Sequence, residues 1–85
     1  MSKDNLKKWI EGNPLRKYRK EQGLSIMAIA SMLGVGMSTV QTWESGAHWP
    51  KEENFDHMSS LMGKTNVEQS WSKWLKSRPG WTNSN

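Results

Sequence analysis

Apolar residues recur at three- and four-residue intervals along nearly the whole chain, and no segment alternates apolar and polar positions as a half-buried strand would. Glycine and proline punctuate that pattern and divide it into helices. The first is predicted over 3–11, with Ser2 as its cap, Leu6, Trp9 and Ile10 as its apolar stripe and Gly12 at its end. Asn13-Pro14 restarts the chain: asparagine caps, and proline occupies the first helical position, where no amide donor is needed. That helix, over 14–22, buries Leu15 and Tyr18 and stops at Gly23. Further on, Ala47-His48-Trp49-Pro50 reads as a short loop, and Pro50 opens a helix to about residue 62 with Phe55, Met58, Leu61 and Met62 inward and Gly63 at its end. Thr65 and Glu68 stand three apart, as in a capping box, ahead of a helix over 66–76 that carries Val67, Trp71, Trp74 and Leu75 on one face. Pro79-Gly80 breaks it, Trp81 is a candidate to pin the tail, and 82–85 reads as frayed.

The centre of the chain, 23–46, is the most informative stretch. Ser25 can cap a short helix by accepting a bond from a first-turn amide. Met27, Ala30 and Leu33 recur there at helical spacing, and small Ala28 and Ala30 permit close approach of a second helix. Gly34 can take the left-handed conformation that ends a helix, and Val35 plugs the corner. A second helix over about 36–44 turns Val40 and Trp43 inward, and Gly46 closes it. Two short helices about a tight glycine turn form the helix-turn-helix layout, whose second helix is presented outward.

Gly-Leu-Ser, Ile-Ala, Leu-Gly-Val, Ser-Thr-Val and Trp-Glu-Ser-Gly, at the spacing they have here, resemble the Cro/C1-type (Xre-like) helix-turn-helix family over about 15–63. The resemblance implies an all-α fold of the lambda-repressor kind, five or six helices around a central helix-turn-helix over about 24–45; the tryptophan-rich helices at 3–11 and 66–76 lie outside the resemblance and are expected to complete a single domain spanning 1–85. It implies a DNA-binding regulator of the kind found in phage, plasmid and bacterial repressors. Two positions depart from the family pattern. Ile26 stands where a phosphate-contacting glutamine is usual, and Gly36 replaces the more usual serine or threonine cap of the recognition helix.

Carried over position by position, the base-reading residues are Met37, Ser38, Gln41 and Thr42. Gln41 can bond adenine bidentately, Ser38 and Thr42 can bond several base edges or phosphates, and Met37 can touch a thymine methyl. None is a guanine-reading arginine, so the face is expected to favour A·T pairs. Candidate phosphate contacts are Arg16 and Lys17, the hydroxyls of Thr39 and Ser45, and His48, with the 45–48 loop offering backbone amides. The resemblance also pairs Arg19 with Glu44, a structural ion pair that orients the recognition helix. His57 is expected to be merely exposed.

Composition narrows the picture. Eighty-five residues allow one modest core and no deep catalytic cleft. A mean hydropathy of −0.85 without a long apolar run excludes a membrane-spanning segment, and Met-Ser-Lys-Asp-Asn lacks the apolar stretch of a signal peptide, so a cytoplasmic protein is expected. There is no cysteine, hence no disulfide and no thiolate nucleophile or ligand. Six tryptophans and six methionines supply the bulk that must replace such staples. The net charge of +4 is unevenly spread: residues 1–22 are basic, Glu52, Glu53 and Asp56 cluster, and Lys73, Lys76 and Arg78 make the end basic again. A basic front can attract phosphate, although charge alone fits a solvated mixed surface equally well.

These observations lead to a sequence-specific double-stranded DNA-binding regulator, a repressor that inserts helix 36–44 into the major groove of a two-fold operator as a homodimer. The alternative is an antitoxin or other protein-interaction module of the same fold, with a protein partner at the tryptophan-rich terminal helices. Those helices either pack on one another along the flank of the domain or form a self-association surface. Catalysis, cofactor and metal are not expected, since two histidines and no gathered carboxylates give chemistry little to work with.

Overall fold

A computed structural model describes residues 3–80, with the side chains of residues 3 and 4 left aside. Ser2, Trp81 and the 82–85 tail, for which a cap, a pin and fraying are expected, lie outside the described residues. Six helices follow one another: α1 (Lys3–Glu11), α2 (Pro14–Glu21), α3 (Ile26–Leu33), α4 (Met37–Glu44), α5 (Glu52–Met62) and α6 (Val67–Lys76). The described residues hold no strand. The fold is all-α and of the lambda-repressor type, and none of the helices is by itself long and apolar enough to cross a membrane.

One core serves all six helices. Trp9 of α1, Leu15 of α2, Ile29, Ala30 and Leu33 of α3, Val40 and Trp43 of α4, Phe55 and Met58 of α5, and Val67, Trp71 and Trp74 of α6 are all buried. Phe55 and Trp71 meet edge to face at 5.5 Å, as do Trp71 and Trp74 at 6.0 Å, so aromatic rings fill the space between α5 and α6. Tyr18 and Leu61, expected deep inside, are half-buried at the margin, where the Tyr18 hydroxyl donates to the Leu61 carbonyl at 3.3 Å. A phenol that must keep its hydroxyl satisfied settles where a carbonyl is in reach.

Three local expectations need correction. Met27 is 65% exposed and Ile29 carries the burial in its place. The apolar stripe of α3 runs Ile26, Ile29, Ala30, Leu33, the i, i+3, i+4, i+7 series, and Met27 lies a hundred degrees off it. Second, α5 begins at Glu52, two residues after Pro50. Pro50 is fully buried in the loop, while Lys51 stays extended (φ −71°, ψ 159°) and its carbonyl accepts the first helical bonds from Asn54 and Phe55. Third, the Thr65/Glu68 capping box does not form. Asn66 is the residue at the helix boundary and α6 has no side-chain cap, so Thr65 stands one position too early to reach the first-turn amides.

The terminal helices close on each other. Trp9 and Trp74 stack with centroids 4.1 Å apart and planes 3° from parallel. Each indole N–H donates to the other residue's backbone carbonyl, Trp9 Nε1 to Trp74 O at 2.7 Å and Trp74 Nε1 to Trp9 O at 2.6 Å. Both carbonyls belong to the last turns of their helices and also accept a local amide, Trp9 O from Gly12 at 3.0 Å and Trp74 O from Ser77 at 3.1 Å. The two indoles therefore tie the ends of α1 and α6 to each other, and the stacking adds about 0.5–1.5 kcal/mol beyond area burial.

Candidate nucleic-acid interface

The candidate surface is built on α3, α4 and the turn between them. Ser25 caps α3, its hydroxyl accepting from the Ala28 amide at 3.0 Å. Gly34 ends the helix in the left-handed region (φ 70°, ψ 32°), and the Val35 amide reaches back to the Ala30 carbonyl at 3.0 Å. The chain then turns through 105° into α4, within the range of a helix-turn-helix. Gly36 opens α4 in extended conformation and supplies no side-chain acceptor, so the first turn of α4 is uncapped.

Along α4, Val40, Trp43 and Glu44 are buried. Met37 (45% exposed), Ser38 and Gln41 are exposed, and Thr39 and Thr42 are half-buried. Met37 and Gln41 are one turn apart, as are Ser38 and Thr42, so the four share one outward strip. Thr42 donates its hydroxyl to the Thr39 carbonyl at 2.8 Å, and Ser45 Oγ donates to the Thr42 carbonyl at 3.2 Å. Ser45 and His48 are exposed. The loop amides are another matter. Those of Ser45, Gly46, Ala47 and His48 bond the carbonyls of Gln41, Trp43, Thr42 and Thr42, closing the end of α4. A phosphate arriving at this loop meets the Ser45 and His48 side chains rather than open amides.

Three ties hold the C-terminal end of α4. The Glu44 carboxylate, nearly sealed from solvent, accepts from Arg19 Nε at 2.8 Å and Nη2 at 2.9 Å in a bidentate pair. Arg19 also donates to the Leu24 carbonyl, and Arg16 adds a weaker contact to Glu44 at 3.4 Å. Fully buried Asn13 caps α2 by accepting from the Arg16 amide at 2.9 Å, while its Nδ2 donates to the Trp43 carbonyl at 3.3 Å. Gly46, at φ +81°, lies against the Trp9–Trp74 stack, so close that a Cβ there would stand 2.7 Å from the Trp9 ring. The C-terminal end of α4 is thus anchored by elements from both ends of the described chain.

Arg16 is engaged elsewhere. Its Nη2 and Nε meet Glu11 at 2.9 and 3.2 Å, and Lys20 reaches the same carboxylate at 3.1 Å. The hydrogen bonds from Arg16, then from Lys20, hold the Glu11 carboxyl down at about 2, and the bond to Glu11 in turn raises the Arg16 guanidinium above its ordinary value. A phosphate at Arg16 would have to compete with Glu11. Lys17 is exposed and lines a groove formed chiefly by α1, α2 and α6. Ile26 is half-buried and packs against the core. No three His, Asp or Glu side chains gather as a metal would need among the described residues.

A helix-turn-helix family model matches residues 15–67, over half the chain, and the protein belongs to the Cro/C1-type helix-turn-helix family. It is a DNA-binding helix-turn-helix regulator. Comparison with curated proteins and with solved structures returned no match. Sequence reasoning did not anticipate Asn13 as a tie to Trp43, nor the seating of Gly46 on two tryptophans. Asn13-Pro14 signals a helix start; nothing local signals where the other end of the asparagine amide goes.

Proposed function

We propose that this protein is a sequence-specific repressor of transcription that binds a two-fold operator in double-stranded DNA as a homodimer, one α4 per half-site. The observation that carries this reading is the outward strip of Met37, Ser38, Gln41 and Thr42 on a helix whose opposite face is core and whose end is held by three ties. A reader must keep its side chains in register with base edges, and a helix anchored on rigid neighbours does so. Arg16, Lys17, Thr39, Ser45 and His48 are the phosphate contacts of this reading, and the Arg19–Glu44 pair sets the orientation of α4. One such helix spans few base pairs; duplication by dimerisation doubles the recognised sequence and places half-sites about 34–36 Å apart on one face of the duplex.

Selection from random duplex DNA followed by footprinting tests the proposal, and the expected result is a palindromic site with that spacing. Gln41→Ala should cost about 1–3 kcal/mol and relax preference at one base position, while Lys17→Ala should weaken all sequences alike and flatten the salt slope by about one. Wild-type binding of every duplex by Gln41→Ala and Ser38→Ala would remove α4 as the reader. A footprint without two-fold symmetry would remove the homodimer.

A further inference from the structure

A well-formed concavity lies outside the helix-turn-helix. It is a groove of about 730 Å³ between α1, α2 and α6, with Met62 and Lys64 at the end of α5 also lining it, and no residue of α3 or α4 lines it. Its apolar lining consists of the half-buried Tyr18 and Met62 over a floor of the buried Trp9, Val67 and Trp74. Four lysines, Lys8, Lys17, Lys64 and Lys73, stand around that surface, all exposed, with Glu21 as the one carboxylate among the lining residues. None of the four ammonium groups forms an ion pair among the described residues. DNA-reading chemistry uses none of this apart from Lys17.

We propose that this groove is a docking site for an acidic amphipathic helix of a partner protein. Charge complementarity selects the occupant: four ammonium groups without an ion pair among the described residues, against one carboxylate, favour a strongly anionic ligand, and the apolar lining between them favours a ligand that also has an apolar face. A helix with leucines at i, i+3, i+4 and i+7 and acids on its flanks satisfies both conditions, which is the helix-in-groove mode of recognition. Single-stranded nucleic acid is the other anionic polymer to weigh, and it needs aromatic faces on which to stack bases. Trp9 and Trp74 cover each other at 4.1 Å, Arg78 lies 5.4 Å over the Trp9 ring, and Trp71 meets Trp74 edge on. Neither indole is a free platform, and Tyr18 is the one remaining aromatic ring in the lining, fewer than the series of faces a single strand stacks on. Because α3 and α4 take no part, a partner can sit in the groove while α4 remains open, and the site functions whether or not the operator reading above is correct.

The test uses the whole chain and a labelled synthetic peptide of about 18 residues, long enough to be helical, with leucine at the i, i+3, i+4, i+7 positions and glutamate and alanine elsewhere. Fluorescence anisotropy without DNA reads the binding. The expected result is saturable binding that drops at least about tenfold in Lys8→Glu/Lys73→Glu, through loss of the complementary charge. Ser70→Trp, which fills the groove without changing its charge, should produce a similar loss. Both variants alter solvent-facing or half-buried groove positions, and unchanged circular dichroism and thermal midpoint would show that they fold. The proposal is overturned if the acidic peptide fails to bind, if both variants bind it like wild type, or if a lysine-for-glutamate peptide binds as well. It is also overturned if a single-stranded oligonucleotide, or a second copy of the chain detected by sedimentation, occupies the groove and is lost in the same two variants while the peptide is not.

Discussion

Gly46→Ala probes the contact that ties the terminal helices to the end of α4. Two costs add at this position. At φ +81° an L-residue is strained, by about 1–2 kcal/mol. The new methyl would also stand 2.7 Å from Trp9 Cη2 and 3.2 Å from Trp74 Cη2. Neither ring can retreat cheaply, because the two are stacked and each indole N–H is bonded to the other helix's last turn. Overpacking of that kind costs about 1–3 kcal/mol. The sum, about 2–5 kcal/mol, is a large part of the roughly 5–15 kcal/mol that holds an ordinary small domain together. Gly34→Ala is the internal control. It has nearly the same backbone (φ +70°) with no atom within 4 Å of its added methyl, and carries the strain alone. Urea unfolding followed by far-UV circular dichroism should therefore rank wild type above Gly34→Ala above Gly46→Ala. With a slope of about 1 kcal/mol/M for so small a chain, the two alanine variants should differ by about 1–3 M in midpoint. Adding Trp9→Phe, which removes Cη2, should recover part of the Gly46→Ala deficit in a double-mutant cycle. Equal midpoints for the two alanine variants, together with no coupling to Trp9, would refute the packing argument.

Two further outcomes concern the charged groups. Arg19→Ala leaves the buried Glu44 carboxylate with only the 3.4 Å contact to Arg16, so it should lower stability by about 3–5 kcal/mol, and adding Glu44→Ala should cost much less than the sum of the single changes. A cycle with no coupling energy would contradict the pairing. Glu11, exposed and bonded to Arg16 and Lys20, has its folded value lowered from 4.5 to about 2. Its contribution is therefore fully present above pH 4.5 and is lost as pH falls toward 2. The stability gap between wild type and Glu11→Gln, read from urea midpoints across that range, should close in the same window; a gap unchanged down to pH 2 would show that the carboxylate does not act through its charge.

Helix number and order, and the turn at Gly34, were legible in the chain because each rests on interactions within a few residues. Ser25, Asn13-Pro14 and Gly34 act on the nearest amides and carbonyls, and a stripe such as Val67, Trp71, Trp74, Leu75 declares its buried face by spacing alone. Where two local patterns competed, local reading went astray. Met27 and Ile29 are both apolar and one turn of neither excludes the other; the packing of α3 against α4 and α5 decided that Ile29 goes inside. The strip on α4 was likewise legible from its spacing together with the family pattern. What tertiary structure alone decided are the long-range partners. The Trp9–Trp74 stack joins residues 65 positions apart, Asn13 reaches Trp43 across 30, and Arg16 is held by Glu11 and Glu44. A tryptophan stripe records that a helix must bury a face, and a basic residue records that it seeks an anion. Neither records which neighbour the folded chain will bring within hydrogen-bonding distance, because that depends on the packing of all six helices at once.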